Sequence, residues 1–303
     1  MKLKVATRGS RLALIQVGIV ATELGKLDPS ASLETMVVQT VGDLNRDRPI
    51  VELDQKGIFT RAVDDLVLRG EADFSIHSMK DLPIELPLGL VITAVPERAS
   101  PYEALVSVKH GCLDDLPIGA IVGTSSPRRT AQLKHIRDDL KVRLIRGNVD
   151  TRLRKLEEGQ YDALILAEAG LMRLNKADSI KEHLSLNDFT PPAGQGALAI
   201  VSRGDDSETK KILEAITHLP SIAAVEAERS FMEIMGGGCG APIGVMVQLA
   251  GKMSLYASIL SPDGRLRFQY RKSGEASDPK VFGKSAAQEA LELGASRIIE
   301  KWG

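Results

Sequence analysis

The sequence has little cysteine, and it contains no long hydrophobic run. Its two cysteines, Cys112 and Cys239, lie 127 positions apart among 303 residues. That spacing provides neither a disulfide framework nor a cysteine-based metal site. No run of about 18 apolar residues occurs, and the first residues carry no secretory apolar region, so no membrane segment or export signal is predicted. We therefore expect a soluble, cytoplasmic protein.

Aromatic residues and clustered histidines are also scarce. Aromatic residues make up 4% of the chain, and none lies in the most basic segment, residues 128–155. Because single-stranded nucleic acids are usually bound on aromatic side chains beside cations, nucleic acid is a weak alternative. The five histidines are scattered without an i, i+4 pair, so no histidine-built metal site is expected.

The sequence is rich in short apolar segments that alternate with helical periodicity. Apolar residues make up 43% of the chain, enough for two or three packed cores. Strand-like segments at 3–7, 35–39 and 73–76 alternate with helical segments at 12–24 and 58–68. After a linker at 96–101 with proline at both ends, the alternation recurs through strands at 103–108, 120–122, 142–145 and 163–166 and helices at 127–138 and 149–158. The pattern predicts two α/β units.

The C-terminal third follows a different pattern. A strand at 197–201 and a helix at 207–217 are expected to return to the first unit. They are followed by a long helix at 221–235, three strands between 245 and 270, and a closing helix at 281–301, which predict a small α+β domain. Pro262-Asp263-Gly264 is typical of a hairpin turn between the last two strands. The predicted domains are residues 1–96 with 197–217, residues 102–191, and residues 219–303.

Two predicted helices begin with features that suit anion binding. Ser10 follows Arg8 at the start of one helix, and Ser126-Pro127 precedes Arg128 and Arg129 at the start of another. Backbone N–H groups at a helix start attract anions, and arginine forks pair with carboxylates. Residues 128–155 hold ten lysines or arginines against three aspartates, a net charge of +7. A solvated helix face is the alternative, but the positions favour a cleft between two lobes that binds a polycarboxylate or phosphate.

Two further segments lie where ligands collect in α/β proteins. Lys80 and Asp81 follow a predicted strand, although an ordinary Lys-Asp turn is the alternative there. The polar stretch at 42–57, with Lys56 near its end, is too long for a simple turn and is typical of a mobile lid.

Cys239 lies in the most distinctive short motif of the chain. Gly236, Gly237, Gly238 and Gly240 surround it, so the thiol is expected to stand clear of its loop. A buried cysteine within an ordinary glycine turn is the competing interpretation.

Six blocks together identify the chain as resembling the porphobilinogen deaminase (hydroxymethylbilane synthase) family. They are Ala6-Thr7-Arg8-Gly9-Ser10, Lys56-Gly57-Ile58-Phe59, His77-Ser78-Met79-Lys80-Asp81-Leu82-Pro83, Gly123-Thr124-Ser125-Ser126 with Arg128-Arg129, Arg146-Gly147-Asn148-Val149-Asp150-Thr151-Arg152, and Gly237-Gly238-Cys239 with Pro242-Ile243-Gly244. The resemblance implies two type II periplasmic-binding-protein-like α/β lobes plus a small C-terminal α+β domain.

The resemblance also implies a function and assigns roles to residues. Four porphobilinogen molecules would be joined head to tail, with release of ammonia, on a dipyrromethane cofactor held by Cys239 through a thioether. It places the catalytic carboxylate on Asp81. It places cofactor binding on Lys80, Ser126, Arg128, Arg129 and Arg146, and substrate binding on Arg8, Ser10, Lys56, Arg152 and Arg173. It further implies a monomer that passes its product to uroporphyrinogen III synthase.

Two other classes of function remain open on the sequence alone. A solute-binding module would share the two lobes, but it would carry an export signal and would not need an exposed cysteine. A thiol acyltransferase would need a histidine base near Cys239, and sequence alone does not place His77 or His218 there.

Overall fold

The computed structural model describes residues 2–38, 60–236, 240–275 and 277–302. These residues form two compact units, the first from Met1–Ala99 and Gly196–Ile222 and the second from Ser100–Gln195 and Ala223–Gly303. Cys239, Lys56 and the predicted lid at 42–57 lie outside the described residues.

The described residues contain thirteen strands and nine α-helices. The strands are β1 (Lys2–Arg8), β2 (Ser32–Val38), β3 (Phe74–Ser78), β4 (Leu90–Ala94), β5 (Glu103–Ser107), β6 (Ile121–Gly123), β7 (Lys141–Arg143), β8 (Ala163–Ala167), β9 (Ile180–His183), β10 (Leu198–Arg203), β11 (Ile243–Ala250), β12 (Lys252–Leu260) and β13 (Arg267–Gly274). The helices are α1 (Arg11–Leu27), α2 (Arg61–Leu68), α3 (Pro127–Ile136), α4 (Val149–Glu157), α5 (Glu168–Arg173), α6 (Ser207–Glu214), α7 (Leu219–Met235), α8 (Pro279–Ala290) and α9 (Ser296–Ile299).

The first unit is built on a mixed sheet with strand order β2-β1-β3-β10-β4. β1 pairs in parallel with both β2 and β3, as the alternating pattern predicts, whereas β10 runs antiparallel between β3 and β4. The strand from the segment expected to return, β10, thus lies in the sheet of the first unit. Val17, Val20 and Leu24 of α1 recur at helical spacing and pack against Val5 and Phe74 of the sheet.

The second unit contains a similar sheet with strand order β7-β6-β8-β5-β9. β6 pairs in parallel with β7 and β8, while β5 pairs antiparallel with β8 and β9. The sequence pattern did not predict α5 or β9. α5 has only six residues and β9 only four, so neither shows a clear hydrophobic period. Leu133 of α3 and Ile145 after β7 are completely buried in the two cores that cover this sheet.

The same unit carries a small antiparallel sheet, β11-β12-β13, covered by α7 and α8. Buried Glu228 of α7 attaches it to the preceding segment, because its carboxylate accepts hydrogen bonds from Gly194 N at 2.6 Å and Val247 N at 2.8 Å. Two α/β sheets followed by this small α+β portion confirm the predicted fold class.

The predicted hairpin turn before β13 is confirmed and packs tightly. Gly264 adopts a φ of 78°. A Cβ at this position would lie 2.5 Å from the carbonyl oxygen of Ala131 in α3. His135 Nδ1 lies 2.8 Å from Gly264 O. Glycine is thus required both by the backbone angle and by the close approach.

The prediction of one closing helix over 281–301 is wrong. α8 ends at Ala290, and α9 begins at Ser296. Gly294 between them has a φ of 124°, which is incompatible with a right-handed helix. The apolar periodicity continues through this break, so the sequence pattern alone gave one helix.

Candidate functional site

The first unit brings three predicted site residues to one edge of its sheet. Arg8 ends β1, Ser10 caps α1 by accepting a hydrogen bond from Ala13 N at 3.2 Å, and Asp81 closes a short turn directly after β3. Because β1 and β3 are parallel neighbours, their carboxyl ends meet at the same edge. Arg8, Ser10 and Asp81 line one cleft with about 430 Å³ of open volume.

Four polar residues that sequence reasoning did not assign also line this cleft: Gln16, Thr60, His77 and Ser78. Gln16 Nε2 donates to Ser78 Oγ at 3.0 Å, which links α1 to the end of β3. His77 and Ser78 lie in the same sequence motif as Asp81, so that motif could have pointed to them as site residues. Gln16 and Thr60 lie in no distinctive motif, so the sequence alone did not point to them. Lys80 is half-buried and is not among the described residues that line this cleft.

A buried polar network lies behind the cleft wall. His77 Nε2 is 2.7 Å from Asp64 Oδ1 and 2.9 Å from Ser75 Oγ, and that hydroxyl donates to the same carboxylate oxygen at 2.9 Å. Ser75 and His77 alternate along β3, so both face Asp64 of α2. His77 is 5% exposed and Asp64 only 1%. Asp64 Oδ2 is buried and has no hydrogen-bond partner.

The second unit repeats the arrangement at the carboxyl ends of its parallel strands. Ser126 follows β6 and caps α3 by accepting from Arg129 N at 3.4 Å, and Arg146 follows β7. Arg152, in the first turn of α4, donates from Nε to Gly147 O at 2.9 Å. Arg173 lies in α5, after β8, and burial lowers its pKa to about 10.

Arg128 and Arg129 are buried against an acidic residue that the sequence did not single out. Glu103 is completely buried, and its two carboxylate oxygens contact Arg128 Nη2 and Arg129 Nη2, the latter at 2.7 Å. Arg128 Nη1 also donates to Gln132 Oε1 at 2.7 Å and to Thr190 O at 2.8 Å. Burial lowers the pKa of Arg128 to about 10, although Glu103 opposes the shift.

Strand direction explains why Glu103 reaches these arginines. β5 runs antiparallel to β8 and pairs Glu103 with Ala167, so the first residue of β5 lies at the carboxyl edge of β6 and β8. Arg128 and Arg129 begin α3 at that edge. Their guanidinium groups are therefore held inside the unit, and their predicted role in carboxylate binding stays a prediction.

Two features are absent from the described residues. No group of three or more histidine, cysteine, aspartate or glutamate side chains in these ranges could hold a metal ion. No helix in the same part of the chain is long and apolar enough to cross a membrane.

Family models match nearly the whole chain. Residues 3–211 match the model described as "Porphobilinogen deaminase, dipyromethane cofactor binding domain", and residues 222–292 match "Porphobilinogen deaminase, C-terminal domain". The chain belongs to the porphobilinogen deaminase family. The predicted family, its transferase activity in tetrapyrrole biosynthesis and its dipyrromethane cofactor are thereby confirmed.

Full-length relatives support the same family. A protein of Hyperthermus butylicus named "Probable porphobilinogen deaminase" is 44% identical over 303 residues, which cover 99% of each chain. The porphobilinogen deaminase of Pelotomaculum thermopropionicum is 41% identical over 301 residues, covering 99% of this chain and 96% of its relative. Among solved structures, a nutrient binding protein from Burkholderia cenocepacia bound to methionine aligns with a TM-score of 0.43 and 15% identity, covering 73% of this chain and 93% of that one.

The donor set of the second unit fits the cofactor of porphobilinogen deaminases. Each pyrrole ring of a dipyrromethane carries an acetate and a propionate, so its ligands should be cations and N–H donors. Arg129 Nε is buried and has no hydrogen-bond partner. A buried charged donor of this kind normally has an acceptor, and a ligand carboxylate would supply one. Ser126 at a helix start, Arg146 and Arg152 supply further groups of the same kind.

Proposed function

We propose that this chain joins four porphobilinogen molecules head to tail to form hydroxymethylbilane, with Asp81 as its catalytic carboxylate. The observation that carries this proposal is the cleft of the first unit, where Asp81 lies with Arg8 and Ser10 at the shared edge of β1 and β3. Asp81 is exposed and able to meet substrate. A carboxylate there accepts hydrogen bonds from pyrrole N–H groups and stabilises the cation formed when ammonia leaves.

The substrate's own charges account for the cations in this cleft. Every porphobilinogen carries two carboxylates, and an arginine fork pairs with a carboxylate through two parallel hydrogen bonds. Arg8 is therefore assigned to a substrate carboxylate. Ser10 marks the start of α1, where backbone N–H groups attract anions. The assignment of Lys56 to substrate binding belongs to the same proposal.

The second unit is assigned to the dipyrromethane and the growing chain. The cofactor supplies a tethered pyrrole whose α-carbon is the first nucleophile, and Cys239 is proposed as its anchor. Arg146, Arg152 and Arg173 bind carboxylates, with Ser126 as an additional donor. Lys80, which belongs to the first unit, is likewise proposed to bind the cofactor. Arg128 and Arg129 are fixed by Glu103, so they contribute charge from a rigid position.

We further propose that the enzyme acts as a cytoplasmic monomer and that its product passes to uroporphyrinogen III synthase. Hydroxymethylbilane is a linear chain with a reactive hydroxymethyl end, which supports its direct consumption by a ring-closing enzyme.

The experiment that tests the function compares purified wild type with Asp81→Ala. Wild type incubated with porphobilinogen is expected to release four molecules of ammonia for each hydroxymethylbilane. Asp81→Ala is expected to keep the dipyrromethane by intact mass but to lose at least about 100-fold in rate, because the charge that stabilises the cation is gone. Glu85→Ala, an exposed acidic neighbour in the same loop, is the matched control. Near-normal turnover by Asp81→Ala would exclude the assigned role.

A further inference from the structure

The cleft of the first unit contains an ionisable group that the proposed function leaves unused. His77 lines the cleft with Asp81 and Arg8, yet one side of its ring is held by buried Asp64. Histidine is the side chain that most readily exchanges protons near neutral pH. A histidine backed by a carboxylate is also the arrangement by which proteins orient a base.

The network around Asp64 fixes which ring nitrogen carries the proton. An ionised carboxylate only accepts hydrogen bonds, so the 2.7 Å contact with Asp64 Oδ1 requires a proton on His77 Nε2. In the neutral ring, Nδ1 then holds the lone pair. The described hydrogen bonds of His77 all involve Nε2, so Nδ1 is left as the proton acceptor.

We propose that His77 Nδ1 is the base that removes the ring proton during chain growth, an inference that rests on the proposed function. As each carbon–carbon bond forms, the methylene–nitrogen bond of the incoming porphobilinogen breaks and ammonia leaves. The α-carbon of the preceding substrate unit then loses its hydrogen as a proton to Nδ1, and the C–H electron pair restores the pyrrole ring. His77 passes that proton to the ammonia, which departs as ammonium, so charge and atoms balance.

This step separates two tasks within one cleft. The Asp81 carboxylate stabilises the cation, whereas His77 takes up and gives back a proton in every cycle. The Asp64 carboxylate stabilises the protonated His77 ring until the proton is passed on. Its second oxygen, Oδ2, is buried without a hydrogen-bond partner and can accept a further hydrogen bond. The other charged group among the described residues lining the cleft is Arg8.

The first test reads the ring directly, without reference to turnover. Long-range ¹H–¹⁵N NMR of histidine-labelled holoenzyme, with the His77 signals assigned by their loss in His77→Asn, should show a proton on Nε2 and none on Nδ1 near neutral pH. Asp64→Asn should shift the ring toward a mixture of tautomers. A wild-type ring protonated on Nδ1 and bare on Nε2 would overturn the proposal.

The second test measures the proton transfer with porphobilinogen deuterated at its unsubstituted α-carbon. His77→Asn is expected to lower kcat about 100-fold or more and to raise the isotope effect above that of wild type, with little change in KM. His183→Asn is the matched control, since His183 also pairs with a carboxylate, Glu168, at 2.6 Å, but is 73% exposed and outside the cleft.

The outcomes separate the two proposals. Wild type that forms no hydroxymethylbilane contradicts the proposed function itself. Wild type that forms it, while His77→Asn keeps near-normal kcat or slows without a larger isotope effect, contradicts the role of His77 alone. If His77→Asn does not fold, the His77 signals are assigned instead by their shift in Asp64→Asn, and a wild-type ring protonated on Nδ1 still overturns the proposal.

Discussion

The carboxylate of Glu103 and the guanidinium of Arg128 form an ion pair that is almost completely shielded from water. Their side chains are 0% and 5% exposed. Removing one partner of such a pair leaves an uncompensated buried charge, which is far more costly than losing a surface pair. Glu103 is therefore expected to stabilise the second unit and to fix the direction of both arginines.

Glu103→Gln should lower the free energy of unfolding by about 3–5 kcal/mol. The amide keeps the size of the side chain but leaves two buried guanidinium groups without a counter-charge. Chemical denaturation provides the measurement. Glu158→Gln, which removes an exposed contact with Arg154 at 3.8 Å, should change stability by less than about 0.5 kcal/mol. Equal effects of the two substitutions would contradict the assigned role.

Arg146→Leu should stall chain growth without unfolding the protein. Its proposed partners are the carboxylates that accumulate as units are added, so its loss should matter most for longer chains. Native mass spectrometry after brief exposure to porphobilinogen should show enzyme-bound species of intermediate length. Arg154→Leu is the control, because Arg154 lies on α4 with a side chain 68% exposed. An unchanged distribution for Arg146→Leu would count against carboxylate binding there.

Gly264→Ala should destabilise the protein more than Gly251→Ala. Both positions have a positive φ, 78° and 77°, so alanine costs about 1–2 kcal/mol of backbone strain at each. Only at Gly264 would the added Cβ collide with the Ala131 carbonyl oxygen, since nothing lies within 4 Å of one at Gly251. Thermal unfolding of the two variants compares them directly, and equal losses would show that the turn does not pack on α3.

Glu289 should make the stability of the C-terminal sheet depend on acid pH. Hydrogen bonds from Lys272 and then Tyr270 lower the pKa of Glu289 below its ordinary 4.5. A lowered folded-state pKa stabilises the protein above pH 4.5, and that contribution is lost as pH falls through the folded-state pKa. The effect is at most about 1 kcal/mol, because the side chain is 46% exposed.

The comparison of wild type with Glu289→Gln tests this dependence. Unfolding midpoints should differ near pH 7 and converge as the pH is lowered below 4. A difference that stays constant across this range would show that the ionised carboxylate is not the stabilising species.

The positions of Arg8, Ser10 and Asp81 at one edge of the first sheet could be predicted because their sequence signals are local. Arg8, Ser10 and Asp81 lie at or just after the end of a strand that the sequence pattern shows, and parallel neighbouring strands bring their ends to the same edge of the sheet. Helix starts at Ser10 and Ser126 were predictable for the same reason, since each is marked by its capping residue.

The parts that escaped prediction depend on contacts between distant segments. Glu103 reaches Arg128 only because β5 runs antiparallel beside β8, a pairing that no short pattern specifies. His77 meets Asp64 because α2 packs on the face of β3 that carries alternate residues. The helix break at Gly294 lies within a continuous apolar period. That period predicts a single helix and gives no sign of the break.

The intact mass of the acid-denatured protein tests the central claim most directly. Wild type is expected to exceed the mass of its sequence by one dipyrromethane, and Cys239→Ser is expected to lack that increment and to be inactive. A fully active wild-type protein with the unmodified mass of its sequence would contradict a tethered primer at Cys239.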